Sequence, residues 1–133
     1  MSKNILWGKR AGKRHYTCYN ERGASVEVGM GEGQFSPGQL LKIALATCGT
    51  LSSDSRLAAA LGDDFDATFG VEGTYDEETD RFTSMVVEVV TDLSKAENKE
   101  QLVERAHKAI ERYCTVGHTL NAGLPTEVKF TEE

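Results

Sequence analysis

The stretch "SPGQLLKIALATCGT", residues 36–50, decides the fold. The Ser36 hydroxyl can accept from a free N–H at a helix start, Pro37 fits the first helical position, and Gln39 completes a capping box. Leu40, Leu41, Ile43, Ala44, Leu45 and Ala46 follow, apolar nearly all round. A helix apolar on every side is a helix buried on every side. The pattern predicts one long helix over residues 37–61 that stops at Gly62. Polarity returns late, with Ser52, Ser53, Asp54 and Arg56, and Cys48 sits inside the apolar half.

Outward from that helix, the chain reads as strands and shorter helices. Towards the N-terminus, residues 4–10 and 13–19 have strand character, "NERG" (20–23) is a turn, and "ASVEVG" (24–29) is a third strand. "GMGEGQ" (29–34) is a glycine-rich loop. Past Gly62, "FDATFGVEGTY" (65–75) alternates strictly, as a half-buried strand does. "DEETD" turns the chain into "RFTSMVVEVVTDL" (81–93), which predicts a long hairpin. "SKAE" (94–97) reads as a second capping box, ahead of an amphipathic helix over 95–113 carrying Leu102, Ala106, Ala109, Ile110 and Tyr113. "CTVGHTLNAG" (114–123) predicts a short helical turn ending at Gly123, and "PTEVKF" (125–130) a last strand. The class is α+β, mainly antiparallel.

A chain of 133 residues suits a single domain, 1–133, with one core. Apolar residues at 39 % and charged residues at 27 % describe a soluble globular protein. A net charge of −6 argues against a nucleic-acid partner, since phosphate binding needs surplus Lys and Arg. No segment has the apolar length to cross a bilayer, and the N-terminal residues show no secretory pattern, so a cytoplasmic location is expected. Three cysteines, an odd number, do not make a disulfide scaffold.

By itself Cys48 reads as packing, because free cysteine is a small buried hydrophobe. It lies about three turns into its helix, out of reach of the N-terminal dipole. Cys114 stands between two helical segments, where a thiol ionises more readily, or it simply ends the first of them. Cys18 reads as a strand residue. No close Cys or His spacing suggests zinc, and no metal is expected. "GMGEG" lacks the Lys and Ser/Thr of a phosphate loop, and "GTLSSDS" has no nucleophile elbow.

"SPGQLLKIALATC" together with "AHKAIERYCTVGHTLNAGLPTEV" resembles the two cysteine motifs of the OsmC/Ohr family of thiol peroxidases, and the likeness runs over nearly the whole chain. The resemblance implies an OsmC-like α+β fold: a mainly antiparallel sheet wrapped around a long buried central helix, in an intertwined homodimer. It implies that Cys48 is the peroxidatic cysteine, whose thiolate attacks an organic hydroperoxide or hydrogen peroxide and becomes a sulfenic acid. Cys114 would resolve it as an intrasubunit disulfide. No bound cofactor is implied; an external dithiol, such as dihydrolipoamide, would reduce the disulfide.

The family's motif glutamate, which pairs with an arginine beside the thiolate, is Gly38 here. The loop before the helix has no arginine, while the first hairpin offers Lys9, Arg10, Lys13 and Arg14. Arg10 is the candidate, because "GKRAG" resembles a stretch near the start of one branch; all four charges also read as a solvated strand surface. Thr115 and Gly117 replace a proline and a serine of the second motif, and His118 is either a proton shuttle or a surface residue. An OsmC-fold binding or sulfur-handling protein with weak or no peroxidase activity is the competing reading, favoured by Gly38.

Overall fold

The computed structural model describes residues 5–132. They form β1 (Leu6–Gly12), β2 (His15–Asn20), β3 (Ser25–Gly29), α1 (Pro37–Leu61), β4 (Ala67–Asp76), β5 (Arg81–Thr91), α2 (Lys99–Tyr113) and α3 (Thr115–Ala122). The chain divides into two compact units, one running to Ile43 and the other starting at Ala44, with the boundary inside α1.

In the first unit, β1, β2 and β3 make a three-stranded antiparallel sheet in sequence order. Trp7 faces Tyr19 across β1 and β2, and their rings stack with centroids 5.6 Å apart. The β2–β3 turn is closed by Asn20, whose side-chain oxygen accepts from the amides of Arg22 and Ala24. On β2 and β3, Glu27 accepts from Thr17 at 2.9 Å and meets His15 Nε2 at 2.6 Å. The hydrogen bonds from His15 and then Thr17 hold the Glu27 carboxyl below its ordinary pKa. The capping box of α1 is formed as its sequence predicts. The Ser36 amide donates to Gln39 Oε1 at 2.9 Å, and the Gln39 amide donates to Ser36 Oγ at 3.2 Å.

In the second unit, α1 ends at Gly62, which has φ +99° and donates its amide to Ala58. A glycine tolerates this left-handed backbone where other residues are strained. β4 and β5 pair over their full length as an antiparallel hairpin. Leu57 and Leu61 of α1 pack on Leu102 of α2, with Phe65, Leu93 and Ala96 against them.

Three expectations need correction. α2 starts at Lys99, not residue 95: Asn98 is its cap, accepting from the Gln101 amide at 3.0 Å. "SKAE" is instead a turn, fixed by Asp92 accepting from the Ser94 amide and by Ala96 donating to Leu93. Residues 125–130 form no strand, for they find no ladder partner among the described residues, and Val128 and Phe130 are exposed. The apolar half of α1 is not buried all round: Ala46, Ser53, Leu57 and Leu61 are its buried residues, while Leu41 and Leu51 face out. One chain does not cover every side of it.

Candidate functional site

Cys48 lies midway along α1, half-buried, and its carbonyl accepts a short 2.6 Å bond from the Ser52 hydroxyl. Cys114 is placed by two helices at once. Its amide donates to Ile110, which ends α2, and its sulfur accepts from the Gly117 amide at 3.4 Å, which starts α3. The residue is 3 % exposed, and its thiol is within hydrogen-bonding contact of Cys48. Both cysteines are free thiols.

The helices bring the sulfurs together because α1 and α2 approach closely. A Cβ on Gly49 would stand 4.0 Å from the Ile110 side chain, an ordinary van der Waals contact. Gly49 follows Cys48, and Ile110 is one helical turn before Cys114, so the contact sets the spacing of the thiols. Burial is the largest influence on the Cys114 thiol and raises its pKa. The Gly117 amide opposes this, while the hydrogen bond and charge of Cys48 push the same way as burial. Cys114 therefore holds its proton to a higher pH than a free thiol does.

Next to the pair runs a groove of about 510 Å³ between α1, β5 and α2, with a mainly apolar wall. Cys114 lines it and Cys48 does not. His107 also lines it, one of the series Val103, Ala106, Ile110 and Cys114 along one face of α2 and its cap.

Arg10, the third residue singled out in the sequence, stands on β1 in the first unit, exposed and opposite Tyr16. Gly38 is in the first turn of α1, which carries no acidic residue. His118 turns to α2, donating a ring N–H to the Glu111 carbonyl at 2.5 Å. The sequence reading missed two residues. Gly117 is not merely a replaced serine but the donor to the Cys114 sulfur. Its position three residues after a capping side chain was the available signal. His107 was legible as groove-facing from its seven-residue spacing to Cys114. Among the described residues no cluster of His, Cys, Asp and Glu is arranged to hold a metal ion, and no helix is long and apolar enough to cross a membrane.

A helix-borne thiol touching a helix-junction thiol, in an antiparallel α+β frame, defines a dithiol class of protein. Comparison with known proteins gives it a family. The model of the OsmC-like protein family matches residues 29–129, which include both cysteines. Uncharacterized proteins of Mycobacterium tuberculosis and Mycobacterium bovis are 40 % identical over 131 residues, covering 96 % of this chain and 96 % of theirs. A hypothetical protein from Aquifex aeolicus superposes with a TM-score of 0.74 at 16 % identity, over 92 % of this chain and 89 % of that one. The organic hydroperoxide resistance protein OhrB of Bacillus subtilis superposes with a TM-score of 0.56 at 18 % identity, over 89 % and 90 %. At such identities the structural matches speak for the fold. The chain belongs to the OsmC-like family and has its α+β fold of antiparallel sheets and helices.

Proposed function

We propose that this protein is a thiol-dependent peroxidase. In this reading the Cys48 thiolate attacks the outer oxygen of an organic hydroperoxide, or of hydrogen peroxide. The O–O bond breaks, an alcohol or water leaves, and Cys48 becomes a sulfenic acid. The Cys114 sulfur then displaces water from that acid to give the Cys48–Cys114 disulfide, which an external dithiol reduces. The observation that carries the reading is the contact between the two thiols, one on α1 and one buried between α2 and α3. Neither packing nor helix capping requires thiols at both positions. The likeness in fold to a hydroperoxide resistance protein supports the same chemistry. The apolar half of α1 gives Cys48 surroundings suited to an alkyl hydroperoxide.

Arg10 is proposed as the cation that assists Cys48, and the protein as an intertwined homodimer in the cytoplasm. The exposed apolar residues support the dimer: Leu51 on α1, Val86 and Val90 on β5, and Phe130 near the C-terminus are each more than half exposed. A dimer interface of roughly 2,000 Å² or more would cover them.

Gly38 supports a second reading, an OsmC-fold binding or sulfur-handling protein in which the chemistry is slow. The discriminating experiment is stopped-flow oxidation of the reduced protein by an alkyl hydroperoxide and by hydrogen peroxide. The peroxidase reading expects fast Cys48 oxidation, with Cys48→Ser inert and Cys114→Ser halted at the sulfenic acid. Oxidation no faster than that of a free thiol would favour the second reading.

A further inference from the structure

A second cavity, of about 440 Å³, opens where the C-terminal half of α1 meets the start of α2. Neither Cys48 nor Cys114 lines it. Arg56 lines it from α1, eight residues beyond Cys48 and so about 12 Å further along the helix. Arg105 lines it from α2, and Lys95 and Glu97 from the segment before α2. Three cations thus share one cavity with a single carboxylate, in a chain whose net charge is −6. None of the three is within ion-pair distance of a carboxylate among the described residues. Arg56 gives one N–H to Ser55 Oγ at 3.2 Å and keeps the rest of its fork. The Asp92 carboxyl is held below its ordinary pKa first by Ser94, and last and least by Lys95, so it does not occupy the lysine. Asn98 also lines the cavity; its side-chain oxygen is taken by the Gln101 amide, so what it has left to offer is N–H. Donors and positive charge gathered without matching carboxylates make a place for an anion.

We propose that this cavity binds a small phosphate monoester that carries hydroxyl groups, with its phosphate among Arg56, Lys95 and Arg105. A phosphate monoester brings about −1.5 to −2 charges near pH 7 and three terminal oxygens, which suits three cations. A carboxylate brings one charge and two oxygens. Arginine forks match phosphate oxygens two at a time, and lysine adds a point charge. The volume is far larger than a bare phosphate needs and falls among ordinary small-molecule sites. Glu97 bears on the rest of the ligand. Its carboxylate opposes a second phosphate on its side of the cavity and accepts from a hydroxyl. Leu102, 5 % exposed, with Ala59 and Ala60 gives the carbon skeleton an apolar surface to lie on. No thiol takes part, so the site stands or falls apart from the peroxidase reading.

The test is isothermal titration calorimetry of the whole protein with glucose 1-phosphate, adenosine monophosphate, inorganic phosphate and glucose. Glucose 1-phosphate or the nucleotide should bind at least tenfold more tightly than inorganic phosphate, and glucose should give no heat. The stronger of the two tells a sugar phosphate from a nucleotide. Arg56→Gln and Arg105→Gln should each weaken that ligand by about tenfold, the usual loss of a charge-assisted hydrogen bond. Both side chains are exposed, and thermal melting should show that the variants stay folded. In Glu97→Ala the preference for the organic phosphate over inorganic phosphate should fall several-fold. Cys48→Ser should bind as the natural sequence does, whatever its peroxide chemistry. Binding of neither organic phosphate would overturn the proposal, as would binding that both arginine variants leave unchanged. Inorganic phosphate held as tightly as the esters would overturn the assignment to a hydroxyl-bearing ligand.

Discussion

The Gly117 amide lies 3.4 Å from the Cys114 sulfur, and a Cβ built on Gly117 would lie 3.1 Å from that same atom. Backbone donor and missing side chain thus act on one sulfur. In Gly117→Ala the added methyl has to push Cys114 aside by a few tenths of an ångström. The helix gains about 1 kcal/mol from replacing glycine, so overall stability should change by less than roughly that amount. Closure of the disulfide should slow several-fold, because disulfide geometry tolerates little displacement. Urea unfolding and the rate of diamide-driven disulfide closure separate the two effects. A variant that closes at the normal rate would show that Gly117 is not holding the sulfur in place.

The pH response of Cys114 follows from its neighbours. Burial and Cys48 raise its pKa above the ordinary 9.0, so in the folded protein it loses its proton at higher pH than in the unfolded chain. Its contribution to stability is present below the unfolded value and fades as pH climbs towards the folded one. Replacing Cys48 by Ala removes two of the raising influences and leaves burial. The pH midpoint for alkylation of Cys114, followed by peptide mass, should move down. A midpoint that stays or rises would contradict the contact between the thiols.

Glu27 gives an acid-side counterpart in the first unit. Its pKa is lowered by His15 and Thr17, so the stability it contributes is present above about pH 4.5 and is lost as pH falls through the lowered value. Glu27→Gln should flatten the acid limb of the thermal melting curve below pH 4.5, with little effect on the cysteine chemistry. An acid limb identical to that of the natural sequence would mean that the cluster is thermodynamically silent.

Ser36→Ala should destabilise by about 1 kcal/mol, the usual worth of a helix cap, and Ser36→Thr by less. Chemical denaturation measures both. A full loss of folding would point to a role beyond the capping box.

Gly38→Glu restores the carboxylate that the resemblance leads one to expect in the first turn of α1. Glutamate replaces glycine there with gains in propensity and dipole of about 1 kcal/mol together, so the fold should tolerate it. If Arg10 is the cation, Cys48 oxidation should accelerate, and Arg10→Ala should cancel the gain. Unchanged or slower turnover in a folded protein would favour the binding or sulfur-handling reading.

The sequence made some of these features legible and hid others, for physical reasons. α1 was readable to the residue, because Ser36, Pro37, Gln39 and Gly62 each signal locally. The start of α2 was misread because "SKAE" has the spacing of a capping box, and the competing Asp92–Ser94 bond took that segment into a turn. The strand over 125–130 failed because alternation describes one face of a strand and does not supply the neighbour it must pair with. For the site, the motif-like surroundings of Cys48 and Cys114 were legible at a distance. Their contact was expected only through the family resemblance, since it depends on where Gly49 meets Ile110, a tertiary approach that no local pattern encodes.

Cys114 joins two helices with a single residue, its amide closing one and its sulfur opening the other. The atom that would carry electrons is thus also part of the backbone's hydrogen-bond network. Joining it to Cys48 changes the electron density that the Gly117 amide meets, so oxidation cannot leave the first turn of α3 untouched. In a nitrogen-labelled sample, the Gly117 amide resonance would act as a built-in gauge of the oxidation state, readable without any reagent touching either cysteine.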